Sequence, residues 1–473
     1  MDISIFGNLG LIAIFIPLIF GLYLFISRFK KAFVYKKILN WGCFVSNIIS
    51  FLIFLFVLFF APENKILDCN FSYFSIEKFS LDFGFLINQD NILFLIFASF
   101  LAFIVSLYSK FYFDKKKQFI FTKQRFYAFL SILSSLTYLF LASNNLFQGM
   151  MILILQSVLI LVFSNFDIFK NPTNYNITRF HRITQIGNFS LLVASLILFK
   201  YAILSEGYIS SSSLIYEELN ASISYMYGIS SSFEFQFMTL ALILAVFSRL
   251  MIFPFSCYYS FFANSSNILY LSTISIANNI VGMFLYLKIL PLIELLQSYV
   301  LFFAGFLAFG ILISLVQILF ERNIKIVFGY LMVIFNSLFM ILALIYNPEL
   351  ILCYYFGFNI LFLLVLMVIF FKDKTNFKRR LINKQFGFVL EKAHILLFES
   401  FFIKISKIFE MIDEKIIQNI LSPFDKLFNY LMSLFVKKVN RMNCVKTIKN
   451  ILIIFALMAL FAIFIALFGG FKC

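Results

Sequence analysis

The chain has 473 residues, of which 62% are hydrophobic and only 13% charged, with a mean hydropathy of +0.98. That balance excludes an ordinary soluble globule and identifies a polytopic membrane protein. The net charge of +16 is no nucleic-acid signal, because Lys and Arg fall in short blocks between apolar runs, which is the positive-inside pattern.

The cysteines (Cys43, Cys69, Cys257, Cys353, Cys444, Cys473) are scattered without C-x-x-C spacing, so neither a metal site nor a disulfide framework is indicated. His181 and His394 lie outside the apolar runs, which leaves no in-membrane His pair for haem; no cofactor and no metal are expected. The N-terminus has neither a positive n-region nor a small-residue cleavage site, and reads as a first spanning helix.

Residues 9–26 form the first apolar run, long enough to cross a bilayer. Pro17 within it is tolerable where neighbouring helices re-satisfy the backbone. Arg28, Lys30, Lys31, Lys36 and Lys37 follow, assigning that connection to the cytoplasm and the N-terminus to the outside. Residues 38–60 return outward. The polar segment 61–87 holds Pro62, Asp68 and the alternation Phe71-Ser72-Tyr73-Phe74-Ser75-Ile76, which predicts a short external hairpin. Residues 91–108 come back in to Lys110, Lys115, Lys116, Lys117, Lys123 and Arg125.

The runs 126–142 and 146–163 form a tight pair joined by Ser143-Asn144-Asn145. Lys170, Arg179, His181 and Arg182 are assigned to the next inside loop. Residues 186–199 lead out to a long loop, 205–236, whose charges are all acidic: Glu206, Glu217, Glu218 and Glu234. Four further spans, 268–287, 296–320, 325–346 and 351–371, then lead to a basic block of Lys372, Lys374, Lys378, Arg379 and Arg380.

Between them lies the stretch that sets the functional question, Phe247-Ser248-Arg249-Leu250-Met251-Ile252-Phe253-Pro254-Phe255, at the end of the apolar run 237–255. An Arg at membrane depth costs roughly 3 kcal/mol or more, so it must face protein or a wet cavity. Pro254 removes a backbone donor and should break or kink this helix. Two readings follow: Arg249 caps carbonyls freed at the break, with Asn278 or Gln156 as side-chain partners, or it belongs to an ion pathway.

From 386 to 441 the texture changes. Ile405, Ile408, Phe409, Ile412, Ile416 and Ile420 recur every three or four residues among charges that include Asp413, Glu414 and Lys415. One apolar and one charged face make this an interfacial or laterally packed helix. Pro423 interrupts it, and 450–468 is a further span ending outside. The expected fold is therefore all-α, a polytopic bundle of about twelve transmembrane helices with a broken helix at Pro254 and a C-terminal lateral amphipathic helix. Its parts are 1–125 (N-terminal spans and hairpin), 126–371 (central bundle), 372–449 (basic block and lateral helix) and 450–473 (last span).

Several segments, in this order, resemble the antiporter-like L subunit of respiratory complex I. Asp82-Phe83-Gly84-Phe85 followed by Leu107-Tyr108-Ser109 is similar to that family's F-x-x-D…L-Y-S start. Arg125-Phe126-Tyr127-Ala128-Phe129 resembles R-F-F-A-Y, and Ser143-Asn144-Asn145-Leu146 resembles A-x-N-L. The stretch from Ser248 to Phe255 looks like K-S-A-Q-x-P-F, and Ile324-Lys325-Ile326-Val327-Phe328-Gly329-Tyr330 looks like D-I-K-R-V-L-A-Y. The segments around Ile412-Asp413-Glu414-Lys415 and Lys437-Lys438-Val439 fall where the family has its lateral helix and final span.

The departures bear directly on mechanism. The family's fifth-helix Glu aligns with Ile154, leaving Gln156 as the nearest polar residue, and its seventh-helix Lys aligns with Arg249. Its eighth-helix His falls near Ile274, in the uncharged stretch 272–279, and its H-A-F-F-K Lys becomes Asn359. The later spans with G-F-F-S-K-D-E have no counterpart. Proton relay needs groups that titrate; Arg is effectively always protonated, and Ile and Asn do not titrate. The pathway candidates are Arg249, Lys325, Asn359 and Gln156, although Lys200, Lys288 and Lys325 lie near span ends, where snorkelling suffices to explain them.

The resemblance implies a non-catalytic membrane-arm subunit of a proton-translocating NADH-quinone oxidoreductase, in the bacterial cytoplasmic membrane. Its partners would be other membrane-arm subunits and the bilayer, with no nucleic acid. Loss of the titrating residues implies a structural or accessory role. The competing expectations are an active proton or cation antiporter-like subunit of a hydrogenase or Mrp-type complex, using Arg249 with water and Asn278, Asn279 and Asn359, and a membrane scaffold with no transport role.

Overall fold

A computed structural model describes residues 3–29, 36–61, 65–76, 79–116, 120–165, 174–206, 209–210, 233–256, 268–294, 297–321 and 324–345, together with 352, 354–361 and 363. They belong to one compact unit, Met1–Ile382; a second unit, Asn383–Lys472, lies outside the described residues. The basic block at 372–380, the lateral helix with Ile412, Asp413, Glu414 and Lys415, and the span at 450–468 therefore fall outside the described residues.

Ten long helices are described: α1 (Ile3–Phe29), α2 (Lys36–Phe60), α3 (Gln89–Lys116), α4 (Ile120–Leu141), α5 (Leu146–Asn165), α6 (Asn174–Glu206), α7 (Phe233–Leu250), α8 (Ile268–Glu294), α9 (Gln297–Phe320) and α10 (Ile324–Ile345). Backbone at 354–361 is helical as well. The protein is a polytopic helical membrane protein, and 8 of these helices are long and apolar enough to cross a bilayer. The other two are α4 and α6. The first carries Lys123, Arg125 and several Ser and Thr residues; the second opens on Arg179, His181 and Arg182.

The segment predicted as a hairpin forms one. Strand β1 (Lys65–Ile76) pairs antiparallel with β2 (Phe79–Asn88), and β3 (Ile209–Ser210) adds in parallel to β2. This small sheet is an addition to the all-α expectation. Its second strand is bonded to the α4–α5 connection: Leu86 N donates to Ala142 O (2.9 Å) and Asn144 N to Gly84 O (3.1 Å). Gly84 N also donates to Gln148 Oε1 at 2.9 Å. Asn145 closes the other side of that connection as an N-cap, its Oδ1 accepting from Gln148 N at 2.7 Å.

Helix α8 is the hub, packing against α3, α4, α7, α9 and α10. Within its most apolar stretch 83% of residues are buried, against 28% for α9, which presents Leu301, Phe302, Leu312 and Leu319 outward. Small side chains make the hub possible. A Cβ on Gly282 of α8 would stand 2.7 Å from Leu250 and 3.2 Å from Arg249 Cβ, and one on Gly187 of α6 would stand 2.7 Å from Ser248 Cβ. The last turn of α7 thus passes between two glycines, the close approach that small residues permit between membrane helices.

Helix α7 stops at Leu250, four residues before Pro254. The placement follows from the proline, which has no N–H for the carbonyl four residues back and clashes with it. The proline thereby leaves Leu250 O without its helical donor. Met251 takes a left-handed φ of 53°, and the Phe253–Pro254 peptide is cis. Ile252 N then bonds Phe247 O (3.1 Å) and Phe255 N bonds Ile252 O (2.7 Å), a tight turn in place of a continued helix.

Candidate functional site

Arg249 sits at the last turn of α7 and is the largest fully buried side chain among the described residues, 1% exposed. Its Nη2 donates to Leu153 O of α5 at 3.3 Å and to Asn188 Oδ1 of α6. Nη1 is buried without a hydrogen-bond partner. The expected partners Asn278 and Gln156 are not the ones that meet it. Gln156 lies on the same helix as Leu153 but turns to α4, where its Nε2 donates to Thr137 Oγ1 at 3.3 Å and its Oε1 is left over. Asn278 is buried on α8 with its Oδ1 unpaired.

The network continues along α6. Asn188 Nδ2 reaches Ser157 Oγ and Gln185 Oε1, both at 3.3 Å. Gln185 Nε2 donates to Ser157 Oγ at 2.9 Å and lies 3.3 Å from His181 Nε2. Helical spacing explains the run, since residues 181, 185 and 188 fall on one face. His181 was assigned to a loop, but α6 begins at Asn174 and so carries it on its early turns. There, ahead of the apolar part of α6, burial holds the imidazole below its ordinary range; the Ser157 backbone pulls the other way and the Arg249 charge adds to the lowering.

Electrostatically the site is one-sided. Among the described residues the buried charged side chains are Arg249 and Lys123, and no Asp or Glu is buried. The guanidinium is held by neutral dipoles. Each such charged hydrogen bond contributes about 1.5–3 kcal/mol, which offsets part of the burial cost without a counter-ion.

A second network holds the opposite side of the break. Asn336 Nδ2 on α10 donates to the orphan Leu250 O and to Asn279 Oδ1, both at 3.1 Å. Tyr355 OH meets Asn279 O (3.1 Å) and Asn336 Oδ1 (3.4 Å). The carbonyl freed by the proline is therefore capped by Asn336, the task first considered for Arg249. Asn359 bonds only locally, through Nδ2 to Tyr355 O at 2.9 Å, and its Oδ1 is unpaired. Lys325 lies in the first turn of α10, at the end of the helix opposite to its apolar middle.

The pathway candidates are thus distributed over separate contacts. Arg249 belongs to the α5–α6 network, Gln156 to α4, and Asn359 to the second network's edge. Reading the sequence missed Asn188, Gln185, Ser157 and Asn336. The legible signal was present: a polar residue inside an apolar span, as at 188 and 336, needs a partner.

No protein-family model matches the sequence, and no curated protein matches it significantly. Solved structures do match in fold. A chain of respiratory complex I from Thermus thermophilus, with bound NADH, superposes with a TM-score of 0.55 at 16% identity, over 70% of this chain and 63% of that one. A chain of the membrane-bound sulfane sulfur reductase, an archaeal respiratory membrane complex, gives 0.56 at 14% identity, over 76% of this chain and 56% of that one. The fold is shared with chains of respiratory membrane complexes. This protein spans 63% and 56% of the length of those two chains.

Proposed function

We propose that this protein is an antiporter-like, L-type subunit in the membrane arm of a complex I-type assembly of a bacterial cytoplasmic membrane, with an accessory, structural role. The observation that carries this reading is the chemistry around Arg249. A cation that stays protonated is bonded to an amide oxygen and a backbone carbonyl, at the position where the resembled family has a Lys. The second network, Asn279, Asn336 and Tyr355, consists of groups that do not exchange protons near neutral pH. Ile154, Arg249 and Asn359 stand where the family pattern has titrating groups. The broken helix is then a braced element, and neighbouring membrane-arm subunits do the pumping. The amphipathic sequence pattern around Ile412, Asp413, Glu414 and Lys415 would supply the surface that docks on those neighbours.

One observation favours an active antiporter-like subunit of a hydrogenase or Mrp-type complex. His181 lies at the outer end of the hydrogen-bonded run that ends on Arg249. Two variants decide between the readings, assayed for assembly and for proton pumping in reconstituted vesicles. On the structural reading, Arg249→Lys assembles less well and pumps no better, because an ammonium satisfies fewer planar acceptors. Arg249→Ala assembles worst. Normal assembly of Arg249→Ala with abolished pumping would overturn the structural reading.

A further inference from the structure

The sequence concentrates positive charge around the connections between α1 and α2 and between α3 and α4. Residues 28–37 hold Arg28, Lys30, Lys31, Lys36 and Lys37 with no acidic residue, and residues 110–125 hold Lys110, Lys115, Lys116, Lys117, Lys123 and Arg125 with Asp114 alone against them. Contacts across the bundle join the end of α1 to the start of α4, and the end of α3 to the start of α2. Gln124, at the start of α4, donates to Ser27 Oγ (2.8 Å) and Leu24 O (3.1 Å) at the end of α1. Lys110, two turns before the end of α3, places Nζ 3.3 Å from the ring centroid of Trp41, at the start of α2.

That last contact has the form of an interfacial anchor. Trp41 is 45% exposed and Phe111 50% exposed, and both lie about one to two turns inside the membrane-ward side of these basic connections. Trp sits at headgroup level because its ring is apolar and its N–H is polar. The aliphatic stem of Lys110 lies along the same surface, so its ammonium is carried toward the water boundary. The Lys–Trp pair adds a cation–π attraction that fixes where the ammonium sits. Phe44 steadies the indole edge-on at 5.5 Å and itself packs on Phe103 of α3 at 4.9 Å, so the α2–α3 surface is preformed.

We propose that this α2–α3 surface, with Trp41, Lys110 and Phe111, is a docking site for the headgroup of an anionic phospholipid. Charge complementarity selects the occupant. Runs of Lys and Arg that adjoin transmembrane helices in the sequence attract anionic lipid, each cation contributing near the surface. The exposed rings take the acyl-chain side, while the Lys110 ammonium takes the phosphate.

Trp41 is the sole tryptophan of the chain, so it reports on this surface alone. The purified full chain is placed in nanodiscs of phosphatidylcholine containing a minor fraction of either brominated phosphatidylglycerol or brominated phosphatidylcholine, and the quenching of Trp41 is compared. The expected result is several-fold stronger quenching by the brominated anionic lipid. Lys110→Gln should bring the two to equality, while Lys110→Arg should keep the preference. Equal quenching in the wild-type protein, or an undiminished preference in Lys110→Gln, overturns the proposal. Should Lys110→Gln fail to insert, raising the salt concentration on the wild-type protein serves instead: the preference should fade as the charges are screened, and its persistence would count against the site. Failure of either lipid to quench Trp41 in an assembled complex would mean that a neighbouring subunit covers the surface, which also overturns the proposal.

Discussion

The two sides of the break in α7 use opposite solutions to one problem. Toward α5 and α6, a charged side chain leaves the helix and meets two acceptors, with Nη1 left over. Toward α8 and α10, a bare carbonyl, Leu250 O, is matched by a neutral amide from Asn336, itself positioned by Asn279 and Tyr355. The first side bears a buried charge and depends on every acceptor it has. The second bears a dipole and is closed by a small cycle of neutral groups. Sensitivity to mutation should therefore be unequal, and larger where the charge lies.

The largest effect is expected from Asn188→Leu. It strips Arg249 of its one side-chain acceptor and leaves a buried cation on a single carbonyl, which costs more than the about 1–3 kcal/mol of orphaning a neutral group. The measurement is the thermal unfolding midpoint in detergent, and a midpoint within error of the wild type would break the proposed asymmetry. Asn336→Leu should come next, because it orphans Leu250 O and an Asn279 acceptor but no charge, at about 1–3 kcal/mol. If it destabilises more than Asn188→Leu in the same assay, the neutral side is the more critical brace. The smallest effect is expected from Gln156→Leu. Its Oε1 is already unpaired and its one bond, to Thr137 at 3.3 Å, is long, so an apolar replacement of similar shape should be near neutral. A clear loss of stability would show that Gln156 takes part in the site after all.

The arrangement also separates holding from moving. A proton pathway requires a group that releases its proton, and the groups nearest the break are an Arg, three Asn residues and a Tyr. His181 is the titrating member, held at the far end of the α6 run, where burial disfavours its charged form.

Much of the fold was legible because membrane embedding imposes simple rules. Spans appear as apolar runs of sufficient length, and period-two alternation over 71–76 marked the hairpin that β1 and β2 form. Pro254 marked the break to within one turn, since its missing N–H names Leu250 O as the group without a donor. Helix starts were less legible. Polar residues at 174–185 resemble a loop, yet α6 continues through them, with Gln185 and Asn188 both bonded to Ser157 of α5.

What the sequence determined by itself was that this protein is a membrane helix bundle and that one cation would be buried beside a broken helix. Those properties follow from length, hydropathy and residue chemistry, each of which is local. Which acceptors meet Arg249, and which residue caps Leu250, was decided only by tertiary packing. Leu153 and Asn188 lie 96 and 61 residues away from Arg249, and Asn336 lies 86 residues from Leu250. Gly187 and Gly282 bring these groups within reach by letting α6 and α8 close on the last turn of α7. The choice among several buried amides is a matter of tenths of an ångström between helices, and no periodicity along the chain records it.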